Sequence, residues 1–116
     1  VVTLVDVSEN SGENLFYPTD GNVFIVCEFE IENNSSSDIA VSSILSFEAY
    51  VDDYATTINL PAMTSSNKAQ LDGSIAAGKK MNGVVGYEVP KDWDEFEIRF
   101  TPNFWSGKEI TFKHIK

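Results

Sequence analysis

The sequence predicts an all-β fold, a sandwich of two antiparallel sheets built from seven or eight short strands. Three observations predict it. Apolar residues recur at every second position in several runs. Clusters of Gly, Pro, Asn, Asp and Ser separate those runs at roughly 8–12-residue intervals, the rhythm of sandwich folds. The three-to-four-residue spacing of an amphipathic helix is hard to find.

The opening run Val1 to Val7 reads as the first strand. Next, Val23, Ile25, Cys27, Phe29 and Ile31 share one face, with Glu28 and Glu30 on the other. That is the pattern of a half-buried strand. Leu45, Phe47, Ala49 and Val51 then alternate with Ser46, Glu48, Tyr50 and Asp52. Shorter strands are expected near 54–59 and 69–75. The run 81–89 reads as a strand rich in β-branched residues. Phe96, Ile98 and Phe100 alternate with Glu95, Glu97 and Arg99, and Ile110 and Phe112 with Glu109, Thr111 and Lys113. Segments 32–38, 51–54, 60–67, 76–80, 89–95 and 101–108 carry turn residues. Apolar-in, polar-out alternation fits two sheets closing on one core.

With 116 residues the chain is expected to form one domain, 1–116. It has no run of about 18 apolar residues that could span a membrane. The net charge is −10, and it is unevenly spread: residues 1–67 contain no Lys or Arg, and 68–116 contain all 8. Nucleic-acid binding draws on Lys and Arg against phosphates, so this balance excludes it as a reading. An anionic lipid surface is disfavoured on the same ground, and the acidic surface serves solubility. Cys27 is the only cysteine, so no internal disulfide can form. A chain opening on Val1-Val2-Thr3 reads as a processed or trimmed product.

One motif asks for a chemical reading. Gly73, Gly78 and Lys79 stand at the spacing of a phosphate-binding loop. Such a loop needs a buried strand before it, a helix after it, and Ser or Thr after the Lys. Here the lead-in is polar, the third position is Lys80, and Gly83, Val84, Val85 and Gly86 follow. The segment reads instead as a turn between strands, with Gly78 at a positive φ.

The remaining candidates favour structure over catalysis. His114, the single histidine, sits near the chain end, a poor frame for a nucleophile–His–acid set. Cys27 lies mid-strand on an apolar face and reads as a small core residue. Asp52 with Asp53, and Asp92, Asp94 and Glu95, form acidic pairs without the calcium-loop pattern. Asn33 and Asn34 match the glycosylation pattern but read as a tight turn. Trp93, Phe104 and Trp105 lie in turns, where aromatics either cap the sandwich or form a partner surface.

Several of these stretches together resemble a known family. They are residues 24–41, 45–54 and 69–100, with Asn33, Asn34 and Ser35, then Asp52, Asp53 and Tyr54, then Gly78, then Gly83, Tyr87, Glu88 and Pro90. They resemble a bacterial family of extracytoplasmic domains of unknown function described as telokin-like. Ala77 stands where that family commonly has Pro. The resemblance implies the immunoglobulin-like fold of a secreted mycobacterial immunoprotective antigen. It also implies export, commonly within a Gram-positive lipoprotein, and no shared catalytic set. The expected function is a non-catalytic extracytoplasmic binding or spacer module, secreted or lipid-anchored, with a protein or cell-wall partner. No cofactor and no metal are expected, and any membrane contact would run through a lipid anchor outside the sequence. A calcium or small-ligand domain using the acidic loops is the alternative, and a hydrolase comes third.

Overall fold

The computed structural model describes residues 2–10, 18–43, 46–65, 68–101 and 110–115, with backbone alone for 60, 64 and 65. The described elements are β1 (Val2–Asn10), β2 (Asn22–Glu32), β3 (Ile39–Val41), β4 (Phe47–Val51), β5 (Tyr54–Thr56), α1 (Leu60–Ser65), β6 (Gly73–Ile75), β7 (Lys80–Pro90), β8 (Glu95–Phe100) and β9 (Ile110–Ile115). One sheet has the order β1-β2-β7 and the other β5-β4-β8-β9, and β3 and β6 form a separate pair. Every strand pair is antiparallel. The all-β antiparallel sandwich expected from the alternation is the fold observed.

The alternating residues supply the core. Val23, Ile25, Cys27, Phe29 and Ile31 of β2 meet Phe47, Ala49 and Val51 of β4 and Phe96, Ile98 and Phe100 of β8, all buried. The aromatic rings meet at tilted or edge geometries: Phe29 and Phe47 lie 5.4 Å apart, Phe47 and Phe100 5.0 Å, Tyr87 and Phe96 5.5 Å. Such geometries set positive ring edges against negative faces. Fully burying one such ring contributes roughly 1.5–3 kcal/mol.

Strand β2 is more buried than its alternation suggests. Phe24 is 0% and Val26 4% exposed, although both lie on the face opposite the core. The cover is α1, with Ala62 and Met63 buried. The segment 60–67 had read as a turn. Its first part is a helix because Asn59 caps it: the Asn59 Oδ1 accepts the Ala62 N–H at 2.8 Å, and Met63 N–H reaches the Asn59 carbonyl. Asn at the cap and Pro early in the first turn are a helix-start pair. Gly86 lets the helix approach: a Cβ there would stand 2.8 Å from the Met63 nitrogen.

Three other boundaries differ from the sequence reading. Strand β3 follows a polar run and is too short for its alternation to show. The run near 54–59 pairs only over Tyr54–Thr56, then crosses to the other sheet through Ile58 opposite Tyr87. The run near 69–75 contributes an isolated bridge at Gln70 and the strand Gly73–Ile75. Leu45, read as a strand residue, lies outside the described residues.

Candidate binding surfaces

The phosphate-loop spacing at 73–79 resolves into a turn. Gly78 has φ 77°, and the turn joins β6, which pairs with β3, to β7, which pairs with β2. It therefore links two different pairings and is not a hairpin. The amides a phosphate would need are engaged: Gly78 N–H donates to Asn33 O at 2.8 Å and Lys79 N–H to Ala76 O at 3.0 Å. Lys80 faces Glu32, with Nζ and Oε2 3.7 Å apart.

The acidic turns do come together in space, but around N–H groups. Asp52 and Asp53 form the β4–β5 hairpin turn with φ 48° and 70°. The Asp52 carboxylate accepts the Glu95 N–H at 2.8 Å and the Asp94 N–H at 3.1 Å. Asp72 is spent likewise, on the N–H and hydroxyl of Ser43. Glu88 accepts from Asn22 Nδ2 at 2.8 Å and Thr19 N–H at 3.3 Å. Among the described residues, no three His, Cys, Asp or Glu side chains are grouped to hold a metal ion.

Trp93, offered by the sequence for a partner surface, is buried at 4% exposed. Its Nε1–H donates to Glu9 Oε2 at 2.8 Å, and its ring packs against Phe96 and His114. The indole closes the space between β1 and β9 because its one polar atom has a partner there. Phe104 and Trp105 lie outside the described residues. His114 is exposed on β9, opposite Phe96, and borders a shallow groove with Leu4 to Val7. Cys27 is fully buried, and desolvation, with the Asp6 charge adding, pushes its thiol well above the ordinary 9.0. A thiol held neutral in this way is inert.

What sequence reasoning missed is a cleft beside β4. It encloses about 360 Å³ and is lined by Phe47, Ala49, Ala55, Thr57, Ile58 and Tyr87, with Glu48 and Tyr50 at its mouth. It opens because β5 separates from β4 after Thr56, and Ile58 pairs with Tyr87 instead. Burial raises the Tyr87 hydroxyl well above its ordinary 10.0, with Cys27 adding, so the cleft floor is neutral. At the mouth, Tyr50 O–H donates to Glu48 Oε2 at 3.2 Å. The Arg99 guanidinium lies 4.7 Å from the centre of the Tyr50 ring and bonds Glu97. A divergence between two strands leaves no trace in local alternation, which is why the cleft was not legible.

These features define a β-sandwich in which the Asp52, Asp72 and Glu88 carboxylates hold the chain's own loops. The chain matches the family described as Domain of unknown function (DUF4352) over residues 1–110, and it belongs to that family. No curated protein matches it. Among solved structures it is similar to a candidate lipoprotein, ycdA, of Bacillus subtilis, with TM-score 0.81 and 22% identity over 98% of this chain. The chain spans only 35% of that protein. It is also similar to the yjhA protein of Bacillus subtilis, with TM-score 0.72 and 20% identity over 97% of this chain and 88% of that one. A conserved hypothetical protein of Bacillus anthracis follows at TM-score 0.66 and 21% identity, over 99% and 86% of the two chains. At these identities the likeness is one of fold. Among the described residues, no helix is long and apolar enough to cross a membrane.

Proposed function

We propose that the chain is a non-catalytic extracytoplasmic module, 1–116, of a secreted or lipid-anchored bacterial protein, acting in binding or as a spacer. The observation that supports this most is the match to about a third of a longer candidate lipoprotein, the proportion of one module within a larger exported chain. Membership of a family of unknown function is compatible with it. So is the use of Asp52, Asp72 and Glu88 as acceptors for backbone and side-chain donors. Kinship with the telokin-like, immunoglobulin-like domains of Gram-positive lipoproteins belongs to the same reading.

The test is to express the natural gene in full in its own host and fractionate the cells. The expected result is recovery at the outer surface or in the medium, with external protease removing the cell-bound form. Recovery in the cytoplasmic fraction, protected from protease, would overturn the proposal. Calcium at millimolar concentration is expected to leave the melting temperature unchanged, because Asp52 already accepts two N–H groups. A rise would restore the ion-binding alternative.

A further inference from the structure

The cleft beside β4 has walls that carry unused backbone groups. Along β4, even-numbered residues bond towards β8: Asp52 N–H donates to Glu95 O, and Ser46 O accepts from Thr101 N–H. Odd-numbered residues therefore turn towards β5, where Val51 pairs with Tyr54 and Ala49 with Thr56. Phe47 is the next odd residue, and it has no partner in β5. Its N–H and C=O face the cleft. On the opposite wall Ile58 pairs with Tyr87, with Asn59 N–H donating to Gly86 O, so that Ile58 directs its own N–H and C=O away from β7. Backbone polar groups are strong donors and acceptors that seek partners.

The side chains add a preference. A strand residue paired with Phe47 would point its side chain to the same face as Phe47, onto Ala49, Ile58 and Tyr87. Its neighbours in sequence would point outward, alongside Glu48. Glu48 has no cation within ion-pair distance among the described residues, because its cross-strand neighbour Arg99 is turned to Glu97 and Tyr50. The site thus offers an edge for a peptide bond, an apolar floor for one side chain, and an unpaired carboxylate beside it.

We propose that this cleft binds a short extended peptide segment of another protein, with one apolar side chain flanked by basic residues, by addition to the edge of β4. Adding a strand to an exposed edge is a recurrent mode of peptide recognition, in which the main chain supplies affinity and alternate side chains specificity. The inference gives the binding reading above a ligand class. Cell fractionation tests the address and a peptide titration tests the cleft, so either can fail alone.

The probe is the blocked tripeptide acetyl-Lys-Leu-Lys-amide, titrated into the isotopically labelled chain and followed by amide shifts. Saturable shifts are expected at Phe47, Thr57 and Ile58. The same peptide N-methylated at leucine lacks the central N–H and is expected to lose binding. Glu48→Lys, a change at an exposed position whose folding the amide spectrum away from the cleft checks, is expected to weaken the basic peptide by about fivefold and to favour acetyl-Glu-Leu-Glu-amide, the scale of one exposed charge pair. No shift at Phe47 and Ile58 would overturn the proposal. So would equal binding of the N-methylated peptide, equal binding of butylammonium, or concentration-dependent self-association that accounts for the shifts.

Discussion

At the scale of single residues, Asn33 ties three segments together. Asn33 is 0% exposed, and its Nδ2 donates to Ser37 O and Ile75 O, both at 2.8 Å. Its Oδ1 accepts the N–H and hydroxyl of Ser35. Its main chain bonds both Lys79 and Gly78, so one residue fixes the 33–37 loop, the end of β6 and the 76–79 turn. Asn33→Ala would take the side-chain donor from the buried Ile75 carbonyl and leave Ser37 O with the Ser35 hydroxyl alone, and a loss of about 1–3 kcal/mol is expected. Urea unfolding of the two proteins checks it, and a change under half a kcal/mol would show the network to be dispensable. The sequence made Asn33-Asn34-Ser35 legible as a turn. It did not make Asn33 legible as buried, because three of its partners, Ile75, Gly78 and Lys79, lie more than forty residues away. Trp93 shows the same limit: its ring is hidden because Glu9, at the far end of the sequence, accepts its N–H.

At the scale of elements, alternation made β2, β4, β8 and β9 legible, and β-branched residues made β7 legible, because its buried run 83–87 does not alternate. Neither signal reached β3 or α1. A three-residue strand has no period, and α1 exists only because Asn59 caps it and the β2–β7 face needs cover. Gly86 is the place to test that cover. Gly86→Ala sets a methyl 2.8 Å from the Met63 nitrogen and 2.9 Å from the Ala62 carbonyl carbon, both backbone atoms that cannot swing aside. The helix must shift, and a cost of about 1–3 kcal/mol is expected, the range for overpacking. Met63 amide exchange should rise with it; unchanged exchange and stability would mean that α1 rests loosely on the sheet. The β4–β5 hairpin predicts the opposite sign. Both turn residues are non-glycine at positive φ, a conformation that two-residue hairpins usually give to Asn-Gly or Asp-Gly. Asp53→Gly should stabilise by about 0.5–1 kcal/mol, since glycine removes the strain and, among the described residues, Asp53 has no side-chain hydrogen bond to lose. Asp52 must be kept, because its carboxylate bonds the Asp94 and Glu95 amides. A lower melting temperature for Asp53→Gly would show the turn to be unstrained.

At the scale of the whole molecule, the uneven charge of the sequence is partly evened by the fold. Residues 1–67 carry no base, yet antiparallel pairing of β2 with β7 sets Glu32 against Lys80, and the segment before β6 brings Lys68 to Glu28. No sequence window could display these pairings. Glu28 is the group to follow. Its carboxylate is held below the ordinary 4.5, first by the Lys68 ammonium and then by the Asn82 amide, which donates at 3.0 Å. A carboxyl held down in the folded state binds its proton more weakly than in the unfolded chain. It therefore contributes stability above pH 4.5, which is lost as pH falls through the lower folded value. The Lys68 side chain is 53% exposed, so salt should screen its part, whereas the Asn82 hydrogen bond should persist. Following the Glu28 carboxyl carbon by NMR, Lys68→Met is expected to move its titration up towards 4.5, and Asn82→Ala by less. In molar salt the native protein should titrate closer to the Lys68→Met variant. A titration unmoved by either substitution would mean that the two halves of the chain meet without their charges being coupled.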